Sequence, residues 1–125
     1  MEKAACVFCQ RKNIKIVLEN ELAVAFWDSH PVNKGHLLII PKAHKVTYFD
    51  LSDAELLAIN ALSRQGKALI DQTFSPAGYN VGFNVGHYGG QTVMHCHCHL
   101  IPRYIDDDPH PAGGIRKLLP NGGEI

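Results

Sequence analysis

Three histidines alternate with apolar residues near the C-terminal end of the chain, and this stretch constrains the fold more than any other. Residues 94–104 read Met-His-Cys-His-Cys-His-Leu-Ile-Pro-Arg-Tyr. A period of two is typical of a β-strand with two chemically different faces. We therefore predict a strand over 94–104 that presents His95, His97 and His99 on one face. Its cysteines should pack against a core on the other face. A metal-binding tract or an affinity tag would lack this apolar alternation.

The length and charge of the chain limit its organisation and its partners. A chain of 125 residues fits one domain, which we place over 1–125 with an irregular C-terminal tail from about residue 105. Twelve basic residues balance twelve acidic ones, which argues against binding nucleic acid through bulk charge. The apolar run at 37–41 is too short to span a membrane, and the first residues lack a signal-peptide pattern. We expect a cytoplasmic protein.

The four cysteines fall into two pairs. Cys6 and Cys9 form a C-x-x-C motif, which is compatible with zinc, redox chemistry or chance. A redox motif would need a thioredoxin-like βαβ context, which this sequence lacks, so zinc is favoured. Cys96 and Cys98 are two residues apart in a predicted strand, a spacing that rarely suits a disulfide.

Hydrophobic periodicity predicts the remaining elements. Two apolar stretches, residues 16–18 and 22–27, flank a polar turn and predict a hairpin, and the nearly continuous apolar run at 36–41 predicts a central strand. Ser52 and Glu55 form a capping box that begins an amphipathic helix to about residue 73. Residues 79–85 alternate again, which predicts a strand beside the histidine strand.

At the histidine stretch the sequence resembles the active-site motif of the histidine triad (HIT) superfamily of nucleotide hydrolases and transferases. Further matches are Gly35-His36, Pro41-Lys42-Ala43-His44 and the Gly-rich segment from Asn84 to Thr92. The resemblance extends from Cys6 to about Tyr104. It implies an α+β fold, with an antiparallel sheet of about five strands and one long helix, and it implies a homodimer.

The resemblance also implies how a nucleotide substrate, with adenosine the expected nucleoside, would be bound. The base would pack on Phe26, and the Asp28 carboxylate would accept hydrogen bonds from the ribose hydroxyls. Gln91 and Thr92 would contact the phosphates, while the tail could bring an arginine to them. The substrate-binding residues implied in this way are Phe26, Asp28, Asn84, Gly90, Gln91, Thr92, His99 and Arg116.

A structural zinc ion is implied by the resemblance as well. Family members with an N-terminal C-x-x-C bind zinc through that pair and two histidines, which correspond here to Cys6, Cys9, His44 and His95. Two thiolates and two neutral imidazoles make a charge-balanced, closed tetrahedral site. We expect loss of the ion to lower the melting temperature more than the reactivity.

The resemblance assigns catalysis to four histidines. His97 would attack the α-phosphorus and form a nucleotidyl-histidine that water then cleaves. The main-chain carbonyl of His95 would hold the other ring nitrogen of His97 as a donor. His99 would donate to the phosphate or the leaving group, and His36 would orient the network. Nucleoside phosphoramidates or dinucleoside polyphosphates are the expected substrates.

Other functional classes fit the same residues. A nucleotide-binding adaptor would use the pocket without needing rapid turnover. A nucleotidylyltransferase would hand the nucleotide to phosphate or a sugar phosphate, although relatives acting on hexose phosphates carry glutamine where this chain has His99. A zinc-stabilised structural module is the remaining alternative. Release of AMP from a substrate would distinguish an enzyme from a binder.

Overall fold

The computed structural model of the protein describes residues 5–123. These residues form five β-strands and one α-helix, which confirms the predicted α+β class. Short 3₁₀ helices occur in several of the connections. The main elements in chain order are β1 (Leu18–Glu19), β2 (Ala23–Trp27), β3 (Leu37–Pro41), α1 (Asp53–Phe74), β4 (Gly78–Phe83) and β5 (Cys98–Arg103).

The strands form one antiparallel sheet in the order β1-β2-β3-β5-β4. β3 lies at the centre, and all of its residues are buried, as its continuous apolar run predicted. The predicted hairpin is β1–β2, and β4 pairs with β5. Outside the histidine strand, the strand ends lie within two residues of the predicted ones, as expected where apolar patterns fade into turns.

The helix begins where its capping residues predict. Ser52 Oγ accepts from the main-chain N–H of Glu55 at 3.1 Å, and Glu55 Oε1 accepts from the main-chain N–H of Ser52 at 2.8 Å. This reciprocal pair satisfies two N–H groups that would otherwise lack partners at the first turn. The helix ends at Phe74, where Ser75 has a left-handed backbone (φ 53°) and Pro76 follows.

The two faces of the sheet have different covers. α1 packs its apolar stripe on one face, and a Cβ on Gly66 would lie only 2.6 Å from Leu37 Cδ2, so a glycine permits this close approach. The opposite face is covered by Phe8 and Ile14 from the N-terminal segment. That face presents the apolar side chains Val24, Phe26, Leu38 and Ile40.

The histidine stretch forms a shorter strand than predicted. β5 begins at Cys98, so His95 and His97 lie in the irregular segment before it. The Pro41 carbonyl, at the end of β3, accepts from the His95 ring, and the His95 carbonyl accepts from the His97 ring. The imidazole side chains therefore bind two carbonyls that would have to pair with neighbouring strands if β5 were longer. Cys98 packs in the core on the helix side, as the alternation predicted.

The remainder of the described chain adds no further strand. After β5, residues 105–123 are irregular except for 3₁₀ helices at Gly114–Leu118 and Pro120–Gly123. Within residues 5–123, α1 is the longest helix, and neither it nor any other is apolar and long enough to cross a bilayer.

Candidate active site and ligand cluster

A cleft of about 840 Å³ opens on the sheet face opposite α1. The N-terminal segment forms one wall and the strand ends form the other. Both apolar and polar side chains line the cleft. The apolar residues include Phe8, Ile14, Phe26 and Leu38, and the polar residues include Lys15, Asp28, Ser29, His30, Thr92, His97 and His99.

The hydrogen bond made by His97 fixes the position of its ring proton. His97 Nδ1 lies 2.8 Å from the His95 carbonyl oxygen. A carbonyl can only accept, so Nδ1 carries the proton, and Nε2 of the neutral ring holds a lone pair. The ring is 8% exposed and lines the cleft. His97 therefore offers one free nucleophilic nitrogen.

A second chain of contacts fixes the proton on His99. The main-chain N–H of Val32 points at His36 Nδ1 across 3.2 Å, so this nitrogen accepts and His36 Nε2 carries the proton. His36 Nε2 lies 2.9 Å from His99 Nδ1 and donates to it. The proton of neutral His99 is consequently on Nε2. That buried atom has no hydrogen-bond partner among the described residues.

The electrostatics of the site keep the rings of His36 and His99 neutral. Burial, assisted by the neighbouring His97 and His36 rings, lowers the pKa of His99 to about 4 against the opposing effect of Asp28. Burial also lowers the pKa of His36, an effect that Asp28 partly offsets and His97 reinforces. Both rings are uncharged at pH 7, which is the state that the proton assignments above require.

Asp28 follows directly after β2 and lines the cleft. One carboxylate oxygen accepts from the main-chain N–H of His30 at 2.8 Å. The other oxygen is 3.5 Å from His36 Nε2. The carboxylate is thus held in place and retains acceptor sites for a ligand.

A second cluster joins the N-terminal segment to the residues before β5. The ligand atoms of Cys6, Cys9, His44 and His95 all lie within 4.8 Å of one another. His95 Nδ1 is 3.3 Å from Cys6 Sγ and 3.3 Å from His44 Nδ1, and Cys9 Sγ is 3.3 Å from His44 Nδ1. A tetrahedron of ligands at zinc distances has edges of roughly 3.3–3.8 Å, so the donor set fits that geometry.

The outer contacts of His95 also suit a metal ligand. His95 Nε2 lies 2.9 Å from the Pro41 carbonyl and donates to it, so Nδ1 has its lone pair directed at the thiols. A hydrogen bond of this kind, on the ring nitrogen that does not face the metal, orients metal-bound histidines. Burial lowers the pKa of His95 to about 4, so the ring is neutral, as coordination requires. Cys96 and Cys98 do not belong to this cluster.

The chain is similar to known proteins over most of its length. The sequence profile described as HIT domain matches residues 10–106. The chain belongs to the HIT family. Proteins of this family bind and act on nucleotides.

Three relatives show how far the similarity extends. A HIT family protein from Bacillus anthracis has a TM-score of 0.77 and 39% identity, covering 83% of this chain and 77% of that chain. The adenosine 5'-monophosphoramidase hnt1 of Schizosaccharomyces pombe is 36% identical over 79% of this chain and 74% of that protein. A zinc-bound histidine triad family protein from Mycobacterium smegmatis has a TM-score of 0.77 and 28% identity, covering 86% and 81%.

The Gly-rich loop of this HIT domain is braced by the side chain of Gln91. Its Nε2 donates to the carbonyls of Val46 and Val93, and its Oε1 accepts from the N–H of Gly86. This placement does not agree with the predicted phosphate contact, because both amide hydrogens are engaged and the side chain is 3% exposed. Thr92, which follows directly, is exposed and lines the cleft.

Three other predicted binding residues are not brought against the cleft. Gly90 has a left-handed backbone (φ 91°), and a Cβ there would lie 3.7 Å from the Asn84 side chain, so these two residues are neighbours. Neither is among the described residues that line the cleft. Arg116 is exposed on the 3₁₀ helix Gly114–Leu118 and is likewise not among them. The contacts predicted for these residues stay predictions.

Sequence reasoning missed the wall of this HIT domain's cleft that the N-terminal segment provides. Phe8 and Ile14 line the cleft and pack on the sheet. The sequence did offer one signal, the aromatic residue Phe8 within the C-x-x-C motif, but that motif was interpreted only through its cysteines. Its importance depends on where the segment folds back, which its local pattern does not specify.

Proposed function

We propose that this protein is a nucleotide hydrolase that cleaves at the α-phosphate through a covalent nucleotidyl-His97 intermediate. The proposal is carried by the hydrogen bonds of the rings, which assign a proton to His97 Nδ1 and to His99 Nε2. His97 offers an unprotonated Nε2, and the neighbouring His99 offers a protonated Nε2, with ring centroids 5.0 Å apart. One group can attack phosphorus while the other donates to an oxygen or a leaving group.

The first chemical step transfers the nucleotide to the protein. The lone pair of His97 Nε2 forms a bond to the α-phosphorus as the bond to the leaving group breaks. The N–H at His99 Nε2 donates a hydrogen bond that stabilises the departing amine or phosphate, which takes its proton from a water molecule, and the hydroxide left by that water attacks the phosphorus next. That attack breaks the bond to His97 and releases a nucleoside monophosphate.

Residues of this chain provide the binding contacts. The base enters the apolar part of the cleft against Phe26, and the Asp28 carboxylate accepts from the ribose hydroxyls. Thr92 donates to a non-bridging phosphate oxygen, where negative charge grows in the transition state. Nucleoside phosphoramidates and dinucleoside polyphosphates are the substrate classes, and the relative named as a phosphoramidase supports the former.

We also propose that Cys6, Cys9, His44 and His95 hold a structural zinc ion. The mutual distances of their ligand atoms and the zinc-bound relative support this assignment. The ion would neutralise two thiolates and cross-link the N-terminal segment to the residues that precede β5. His95 would then contribute to catalysis only through its carbonyl, which orients the ring of His97.

The nucleophile is tested by His97→Ala. We expect turnover of an adenosine phosphoramidate to fall at least about 10³-fold, since the residual rate after removing a covalent nucleophile comes from binding alone. Binding of AMP, measured by calorimetry, should persist. Rapid-quench trapping of the wild-type protein should recover phosphorus bonded to the ring.

The matched control is His110→Ala, which changes an exposed histidine on the tail. It should turn over like the wild type. Wild-type turnover without a trapped intermediate would remove His97 from the proposed role, and AMP binding with no turnover of any substrate would favour a nucleotide-binding adaptor.

The homodimer stays a prediction, which light scattering would test.

A further inference from the structure

Phe8 lies between the two cysteines of the N-terminal motif. It contacts the proposed nucleophile and the ligand cluster, which is the group of four candidate zinc ligands Cys6, Cys9, His44 and His95. Its ring centroid lies 5.3 Å from that of His97 and 6.0 Å from that of His95, both edge-on. A third edge contact, at 5.4 Å, joins it to Phe26. The three contacts lie within the range in which ring pairs attract each other.

The main chain that carries the Phe8 ring is held by hydrogen bonds on both sides. The N–H of Cys9 donates to the carbonyl of Cys6 at 3.1 Å, which closes a tight turn. The Arg11 guanidinium donates both to the Phe8 carbonyl and to the carbonyl of Lys42, just after β3. Cys6 is completely buried. The position of the Phe8 ring is therefore tied to the ligand cluster and to the end of the central strand.

We propose that Phe8 is a positioning residue that transmits the geometry of the ligand cluster to His97. The hydrogen bond to the His95 carbonyl fixes one edge of the His97 ring, and Phe8 packs against its side. Together they direct Nε2 into the cleft. A displacement of about 1 Å at a reacting atom can lower a rate about 10²-fold, so a loss of this contact acts on the chemical step.

This inference rests on the proposed function, and it alters one expectation drawn from the sequence. The sequence suggested that loss of the metal would affect stability more than reactivity. Phe8 lies between Cys6 and Cys9 in the sequence. When these two cysteines no longer hold a metal ion, the ring that packs on His97 is also less firmly held. Metal removal should then slow nucleotidyl transfer as well as loosen the fold.

The test compares Phe8→Leu with wild type, measuring kcat and KM for an adenosine phosphoramidate, AMP affinity and bound zinc. Leucine keeps apolar volume but removes the ring edges. We expect kcat to fall roughly 10- to 100-fold, while AMP affinity changes less than about 3-fold. Zinc content and the cobalt-substituted absorption spectrum should match the wild type. Phe49→Leu, at an exposed ring outside the cleft, is the control and should leave every readout unchanged.

Several results would overturn the inference. A rise in KM and a loss of AMP affinity with kcat intact would make Phe8 only a wall of the cleft. A fall in kcat proportional to lost zinc, or unchanged kcat, would contradict it as well. If Phe8→Leu fails to fold, Phe8→Tyr serves instead, because it keeps the ring and should restore wild-type kcat. An absence of turnover in the wild type would count against the proposed function and not against Phe8 alone.

Discussion

At the scale of single residues, the protonation pattern of each histidine follows from what its other nitrogen contacts. His36 faces a main-chain N–H, whereas His95 and His97 face carbonyls. A donor neighbour forces a ring nitrogen to accept, and an acceptor neighbour forces it to donate. Chemically identical side chains thus become an orienting residue, a metal-ligand candidate and a nucleophile candidate.

The role proposed for Asp28 gives a prediction at this scale. Asp28→Asn should weaken AMP binding about 10-fold, the effect of about 1.4 kcal/mol, because a charged acceptor for the ribose hydroxyls is lost. Calorimetry with AMP and with 2',3'-dideoxy-AMP measures it. The dideoxy nucleotide, which lacks those hydroxyls, is the control and should bind both proteins equally. Equal weakening for both nucleotides would show that Asp28 acts on something other than the ribose.

At the scale of elements, α1 supports the site without contributing a residue to the cleft, whereas β2 and β5 contribute Phe26 and His99. The helix occupies one face of the sheet, which leaves the other face for the cleft. Its first turn is stabilised by Glu55, which is 6% exposed and lies 3.4 Å from the Lys45 ammonium. The strength of that turn should therefore depend on the charge of Glu55.

The sign of this pH dependence follows from the surroundings of Glu55. Burial by itself raises its pKa, but hydrogen bonds from Ser52 and the Lys45 ammonium outweigh this effect and hold the pKa below its ordinary value of 4.5. A lowered folded-state pKa stabilises the protein above about pH 4.5, and this stabilisation disappears as the pH falls through the folded value.

Glu55→Gln should therefore lower the melting temperature at pH 7, by an amount equivalent to about 1 kcal/mol. The difference from wild type should shrink towards pH 3. Thermal unfolding followed by circular dichroism across this range measures it, with Asp53→Asn on the exposed side of the same turn as control. A difference that does not vary with pH would exclude the charge as its cause.

At the scale of the whole molecule, the ligand cluster ties together segments that are distant in the sequence. Cys6 and His95 are separated by 89 positions, yet Cys6 Sγ and His95 Nδ1 lie 3.3 Å apart. The same fold-back places Phe8 and Ile14 over the sheet and encloses the cleft. A bound ion would stabilise the folded chain by mass action, because the unfolded chain has no such cluster.

His44→Ala should abolish stoichiometric zinc binding and lower the melting temperature. A ligand present at about 1,000 times its dissociation constant contributes about 4 kcal/mol, equivalent to roughly 10–20 °C for a chain of this size. Metal analysis and calorimetry with and without a chelator measure both effects. His87→Ala, at an exposed histidine outside the cluster, should retain zinc and its melting temperature. A chelator effect of the same size on His44→Ala would disprove the assignment.

The sequence alone was sufficient for those features that depend on local physics. Apolar periods predicted β3 and the helix side of β5, and Ser52 with Glu55 predicted the start of α1. The histidine motif and the segments around it predicted the family that the comparisons then established. These patterns are local because neighbouring side chains determine which face is buried and which N–H groups are satisfied.

Tertiary structure decided the rest. β5 begins only at Cys98 because the Pro41 and His95 carbonyls bind imidazoles, and Gln91 braces a loop instead of facing the cleft. The cover formed by Phe8 likewise depends on where the N-terminal segment folds back onto the sheet. In each case a side chain binds a group that is distant in the chain, or it replaces a main-chain hydrogen-bond partner. A pattern of neighbouring residues cannot predict which of these contacts forms.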